Sequence, residues 1–285
     1  MEPVEGNAAT PFKTLQTVLK YLALTVLAVI LLFPVYWMVV CSFMESHYLT
    51  VIPPHLIPVD PSFANYADII SNEKYLTYFK NSFISAGGTV LLSLLISIPA
   101  GYGFSRYEIP GKNGILSTIM SVQMFPVVVI LISLYAFYLN MGLMSTYLGL
   151  ILADTTMVMP LSITLIKSFY DTVPKSLDEA AKIDGAGRFQ TLVQIVFPLV
   201  TPGVIAVCIY TFLNAWDDYL MSLILMQGDM KTLTVGIAET FLGEYCYNYG
   251  GMMAFAFIGS LPIVILFVFL QKYMIAGLTA GAVKG

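Results

Sequence analysis

Charge is what this sequence has least of. Asp, Glu, Lys and Arg make up 11% of its 285 residues, against about 25% in an average soluble domain. A chain with so little charge lacks the surface that water requires. With 58% hydrophobic residues and a mean hydropathy of +0.82, its composition is that of a membrane protein. Its 13 basic residues are outnumbered by 17 acidic ones, so there is no basic footprint for nucleic acid. Disorder is excluded as well, because it requires low hydrophobicity together with high net charge.

Cysteine and histidine are scarce too. Cys41, Cys208 and Cys246 are odd in number, and the first two lie in apolar runs, so no disulfide framework is indicated. His47 and His55 share one loop with no Cys or acidic cluster at ligand spacing, and no metal site is expected. The phosphate cradle Gly-x-x-x-x-Gly-Lys-Ser/Thr is missing: Gly111-Lys112 runs into Asn113 and the upstream Gly is absent. The chain is therefore expected to hydrolyse no ATP of its own. No intramembrane His or nucleophile and base pairing is visible, so no catalytic residue is assigned and the chain is not read as an enzyme. No internal repeat or low-complexity tract is found.

What is abundant is long apolar sequence. A helix needs about 20 apolar residues to cross the hydrocarbon core. Six stretches qualify, roughly Tyr21 to Met44, Phe83 to Phe104, Gly114 to Tyr138, Tyr147 to Phe169, Phe197 to Leu220 and Met252 to Met274. The first is too long for a cleaved signal and no small-residue cleavage site follows it. Unbroken runs of this length also argue against alternating barrel strands. The expected fold is all-α, one membrane domain of six transmembrane helices over residues 1–285.

Basic residues accumulate on the cytoplasmic side of membrane proteins. With the N-terminus inside, ten of the 13 fall on the inner side and only Lys74, Lys80 and Lys231 on the outer. Both termini are thus expected to be cytoplasmic, with an N-terminal tail over 1–20 and a C-terminal tail over about 275–285. The same orientation places a long Pro-rich loop, Glu45 to Ser82, outside.

The inner connection over about 171–195 is the most charged part of the chain. Pro174 biases Val173 toward extended backbone. Ser176 and Glu179 have capping-box spacing, and Asp178 adds negative charge to the first helical turn. Ala180, Ala181 and Ile183 supply a compact apolar face, and Gly185 and Gly187 end or bend the helix. A second short helix is expected through Phe189, Leu192, Val193 and Val196. This loop reads as a helix-turn-helix with a small-residue face that another protein can approach closely.

Glu179-Ala180-Ala181, Gly185 and Ile195-Val196-Phe197-Pro198 resemble the EAA loop of ATP-binding-cassette importer permeases. Phe197 stands where that pattern usually has Leu. The string Ile183-Asp184-Gly185-Ala186 is similar to the carbohydrate-importer version. Phe63-Ala64-Asn65-Tyr66, Gln123-Met124-Phe125-Pro126 and the terminal Gly277 to Gly285 segment extend the likeness along the chain. The chain therefore resembles the sugar permease subunits related to the second permease of maltose-type transporters.

The resemblance implies the type I importer fold in a bacterial cytoplasmic (inner) membrane. It also implies partners: a second homologous permease, two nucleotide-binding subunits that carry ATP and Mg, and an extracytoplasmic sugar-binding protein. No cofactor would be bound by this chain. Glu179, Ala180, Ala181, Asp184 and Gly185 would meet an ATPase subunit, and Lys284 and Gly285 would reach the ATPase dimer. The outer segment Phe241 to Gly250 occupies the place of the family's scoop loop, or is a plain surface loop.

Polar groups inside apolar helices usually face protein or a wet cavity. Asp154, with no basic residue at helical spacing, is open to three readings: a sugar-hydroxyl acceptor, a structural hydrogen bond, or a proton carrier in an ion-coupled secondary transporter. Gln123 fits either substrate contact or helix packing. Asn214, Trp216 and Asp217, with Asp218 and Tyr219 beside them, are placed to bind a sugar ring or to mark the headgroup level. Proline at 34, 99, 126, 160, 198, 202 and 262 is expected to kink helices around a cavity.

Overall fold

The computed structural model describes residues 11–242 and 248–282, and the side chains of 15–242 and 248–271. Regular structure among the described residues is entirely helical. In chain order the first half holds α1 (Pro11–Ser42), α2 (Ser46–Leu49), α3 (Ala64–Ser71), α4 (Glu73–Arg106), α5 (Lys112–Ser121), α6 (Val127–Met141) and α7 (Tyr147–Thr172). It continues with α8 (Ser176–Ile183), α9 (Arg188–Gln190), α10 (Phe197–Leu199), α11 (Thr201–Trp216), α12 (Leu220–Leu225), α13 (Leu233–Phe241) and α14 (Tyr249–Ala282). Cys246, Lys284 and Gly285 lie outside the described residues, as do residues 243–247 of the Phe241 to Gly250 loop.

Four of the six apolar stretches form single long helices, α1, α4, α7 and α14. The other two depart from the expectation of one straight helix each. The third is broken where α6 leaves the α5 arm at 95°. Pro126 supplies no N–H and holds Phe125 extended at φ −79°, ψ 136°, which stops the helix there. The fifth turns by 80° between the arm over Arg188–Leu199 and α11. Val200 leaves helical backbone at φ −99°, ψ 9°, and α11 restarts with Pro202 in its first turn. Phe197 to Leu199 thus belong to the bent arm, and Asp217 to Leu220 lie beyond the end of α11. Pro34, Pro99, Pro160 and Pro262, by contrast, sit inside continuous helices.

The chain divides into two compact units that interleave in sequence. The first comprises residues up to 68 and the segment 245–257. Along α1, apolar side chains from Leu15 to Tyr36 are exposed, a surface suited to lipid. The end of α1 is tied down by the Phe63 to Tyr66 string. Asn65 Nδ2 donates to the carbonyls of Ser42 (2.9 Å) and Met44 (3.2 Å), the Tyr66 hydroxyl meets Ser42 Oγ at 2.6 Å, and Phe63 packs edge-on against Phe43.

The second unit, residues 69–244 and 258 onward, is built on α4, α7 and α11. On α4 the residues at every fourth position, Asn81, Ser85, Thr89, Ser93, Ser97, Gly101 and Ser105, are all buried. Small residues at this spacing let backbones approach closely. Ser162 of α7 accepts from Ser93 at 3.2 Å, while a Cβ at Gly101 would collide with Ile166. Sequence reading missed this seam, although its period is legible in the chain. At one end Tyr102, Ile166, Tyr170, Val173, Val196, Val200, Val204 and Val207 form a core that carries the 171–195 loop.

Candidate functional site

The loop helix α8 is held from both sides. As expected, Val173 is extended, at φ −83°, ψ 126°. The capping box, however, does not form. Lys175 is already helical and no side chain caps α8; instead the Pro174 carbonyl accepts from Leu177 N–H (3.3 Å) and the Lys175 carbonyl from Asp178 (3.0 Å) and Glu179 (3.2 Å). The chain turns helical one residue early, so the Ser176 hydroxyl lies past the position from which it would cap.

Asp178 is engaged elsewhere. Tyr102 OH donates to its Oδ1 at 2.6 Å, and Arg106 Nε lies 2.9 Å from Oδ2 in the geometry of an ion pair. Arg106 Nη2 also donates to the Val173 carbonyl at 3.0 Å. Just before the turn, Asp171 accepts from Ser105 Oγ (2.6 Å) and pairs with Lys167 (2.5 Å). None of these partners was foreseen, since each is more than 60 residues from Asp178 or Asp171 apart from Lys167 and Val173.

The far end of α8 closes on Gly185. The Ala186 N–H bonds the Ala181 carbonyl (2.9 Å) and the Gly185 N–H bonds the Lys182 carbonyl (3.2 Å), a Schellman turn. It requires the left-handed backbone that Gly185 adopts at φ +83°. Glu179, Ala180, Asp184 and Gly185 are exposed, whereas Ala181 is only 3% exposed and faces the protein. Of the two consecutive alanines, then, one is outward and one is internal packing. Beside the turn, Ile183 is 86% and Phe189 78% exposed, which adds an apolar element that sequence reading did not assign to Phe189.

The second short helix also differs. Only α9 is α-helical, and Thr191–Val196 winds as a π-helix before α10. Arg188 lies 5.5 Å from the centre of the Tyr107 ring. Both line a groove of about 470 Å³ together with Arg106, Lys175, Lys182 and Thr191.

At the other end of the unit, the five pathway residues separate. Asp154 is 4% exposed and its Oδ2 has no hydrogen-bond partner among the described residues. It lines a cavity of about 170 Å³ with Asn214, Asp218, Val127 and Met157. Asn214 donates its amide to the Tyr210 carbonyl at 2.8 Å. Asp218 accepts from Met221 N–H (3.2 Å) and Ser222 N–H (2.8 Å) at the start of α12. Gln123 is exposed at the α5 to α6 break, outside that cavity, and Asp217 is exposed at the end of α11. Trp216 is 3% exposed. Its indole N–H donates to the Gly259 carbonyl at 3.1 Å and its ring is enclosed by Phe83 and Phe212, so it presents no free face to a ligand.

Long apolar helices, two broken spans and one rigid exposed loop define a multi-pass membrane protein of the transporter class. Residues 93–279 match the family described as the binding-protein-dependent transport system inner membrane component, and the chain belongs to that family. It is accordingly a permease subunit of an ATP-binding-cassette importer. The chain is 34% identical over 268 residues to the sulfoquinovosyl glycerol transport system permease protein SmoH of Agrobacterium fabrum, covering 94% of each. It is also 34% identical to the trehalose/maltose transport system permease protein MalG of Thermococcus litoralis, over 96% of this chain and 99% of that one. In fold it is similar to a chain of a bacterial ABC transporter involved in the import of the acidic polysaccharide alginate. That likeness has a TM-score of 0.80 and 20% identity, and covers 95% of this chain and 99% of the other.

Proposed function

We propose that this chain is one of two homologous permeases in an ATP-driven importer of sugars or oligosaccharides, with the 171–195 loop docked on an ATPase subunit. The observation that carries the reading is the rigid outward face of that loop. Glu179 and Ala180 stand exposed on α8, and Asp184, Gly185, Ile183 and Phe189 surround a turn locked by two hydrogen bonds. A fixed polar group beside small and apolar residues suits close docking with little loss of conformational entropy on binding. Ala181 supports this face from behind.

Two ATPase subunits hydrolyse MgATP, and an extracytoplasmic binding protein delivers the sugar to the opposite side. The basic bias of the inner connections supports cytoplasmic termini in a bacterial inner membrane. Lys284 and Gly285 remain candidates for a contact with the ATPase dimer. A saccharide cargo is supported by the glycosides for which SmoH and MalG are named. Asp154 and Asn214, with Asp218, supply acceptors for sugar hydroxyls along the pathway; Gln123 and Asp217, both exposed, are further polar groups assigned to meet the solute. Trp216 shapes the wall without stacking on the sugar.

The test is purification of the tagged chain after coexpression with the transport genes encoded beside it, followed by reconstitution into liposomes. An ATPase and a second permease are expected to copurify, and radiolabelled sugar is expected to accumulate only with internal ATP and external binding protein. Accumulation driven by an ion gradient without ATP would instead establish an ion-coupled carrier working through Asp154.

A further inference from the structure

We infer that α4 is the rod that carries motion of the coupling loop to the opposite membrane surface, with Arg106 and Tyr102 as the clamp at its driven end. The inference rests on the importer reading above and adds positioning residues that lie far from the loop in sequence.

At the driven end, both carboxylate oxygens of Asp178 are engaged by α4. Tyr102 OH takes Oδ1 at 2.6 Å and Arg106 Nε stands 2.9 Å from Oδ2. The same guanidinium reaches back to the Val173 carbonyl at 3.0 Å, so one side chain spans the turn at Pro174 and fixes α8 relative to α4. Ser105 holds Asp171 at 2.6 Å on the near side of that turn. The Arg106 side chain is 5% exposed and that of Asp178 19%. The pair is largely shielded, and a partner withdrawn from such a pair leaves the other charge stranded. Displacing α8 therefore displaces the end of α4.

Along its length α4 is one continuous helix, with Pro99 inside it. It is 34 residues without a break, and about 38 Å of helix separates Asn81 from Arg106 at 1.5 Å per residue. At the far end it grips another loop. Asn81 Nδ2 donates to the carbonyls of Asp229 (2.7 Å) and Lys231 (2.8 Å), and its Oδ1 accepts from Tyr147 OH at 2.7 Å. One residue on, Ser82 Oγ accepts the Leu233 N–H at 2.8 Å, at the start of α13. The 171–195 loop and the 227–233 loop are thus tied to opposite ends of a single helix. Packed side chains, hydrogen-bond networks and rigid secondary elements carry coupling between remote sites, and α4 with its end contacts is such an element.

The experiment uses the complete transporter with its ATPase, second permease and binding protein, and reads sugar transported per ATP hydrolysed. Arg106→Gln and Asp178→Asn are each expected to lower this ratio at least tenfold while the assembled complex still hydrolyses ATP. The double variant, with both charges removed, is expected to be no worse than either single one. Arg106→Lys, which keeps the charge but loses the second contact to Val173, should fall between. At the other end, Asn81→Ala should lower the same ratio without reducing the amount of ATPase that copurifies. Unchanged ratios in these variants would overturn the clamp, as would losses that simply track the amount of complex assembled. If the unaltered chain captures no ATPase, the importer reading falls and the rod with it, so the two failures are distinguishable.

Discussion

The Ala186 amide reaches back across Gly185 to the Ala181 carbonyl at 2.9 Å, which makes the end of the coupling helix a locked turn instead of a frayed one. At φ +83° a side chain at position 185 meets the left-handed penalty of about 1 to 2 kcal/mol. Gly185→Ala is expected to leave membrane insertion intact, speed protease cleavage in the loop, and lower coupled uptake about tenfold. Normal uptake with unchanged protease resistance would remove the turn from the mechanism.

The two adjacent alanines give opposite results when enlarged. Ala180 is exposed and Ala181 buried, so Ala180→Leu should leave the chain folded but weaken ATPase capture. Ala181→Leu overpacks the interior, at about 1 to 3 kcal/mol, and should reduce thermal stability of the isolated chain. Measured in parallel by copurification and by melting in detergent, equal behaviour of the two variants would contradict the assigned faces.

Trp216 is a structural residue in this arrangement. Trp216→Phe removes the indole N–H that bonds the Gly259 carbonyl, a loss of about 0.5 to 1.5 kcal/mol for one hydrogen bond. A lower melting temperature with an unchanged KM for sugar uptake is the expected pair of results. A large rise in KM with no loss of stability would restore Trp216 to the pathway.

Asp154 has an oxygen without a hydrogen-bond partner among the described residues, and it lines one cavity with Asn214 and Asp218. Asp154→Asn keeps the shape and removes the charge. Uptake kcat/KM is expected to fall about tenfold, or about 1.4 kcal/mol, whereas ATP-driven uptake by the unaltered protein should persist when ionophores collapse the ion gradients. Loss of that uptake under the ionophore, with ATP held high, would make Asp154 a proton carrier instead.

Composition and pattern were enough for part of this protein. Low charge and apolar runs determine a helical membrane chain, because the bilayer leaves an unpaired backbone no other solution. Local chemistry at Pro174 and Gly185 likewise determines that Val173 is extended and how the loop helix ends, since a prolyl ring and a left-handed glycine act on their immediate neighbours. The tertiary structure decided the rest. It put Asp178 against Tyr102 and Arg106, so the expected Ser176 cap gave way to a helix anchored from 76 residues away. It divided Ala180 from Ala181, sealed Trp216 onto Gly259, and gathered Asp154, Asn214 and Asp218 around one cavity. Those outcomes depend on which helix faces are buried together, and a single helix's sequence carries its own periodicity but not the identity of its neighbour. Even the every-fourth-residue seam of α4, written openly in the chain, acquires its meaning only when α7 and α11 close against it.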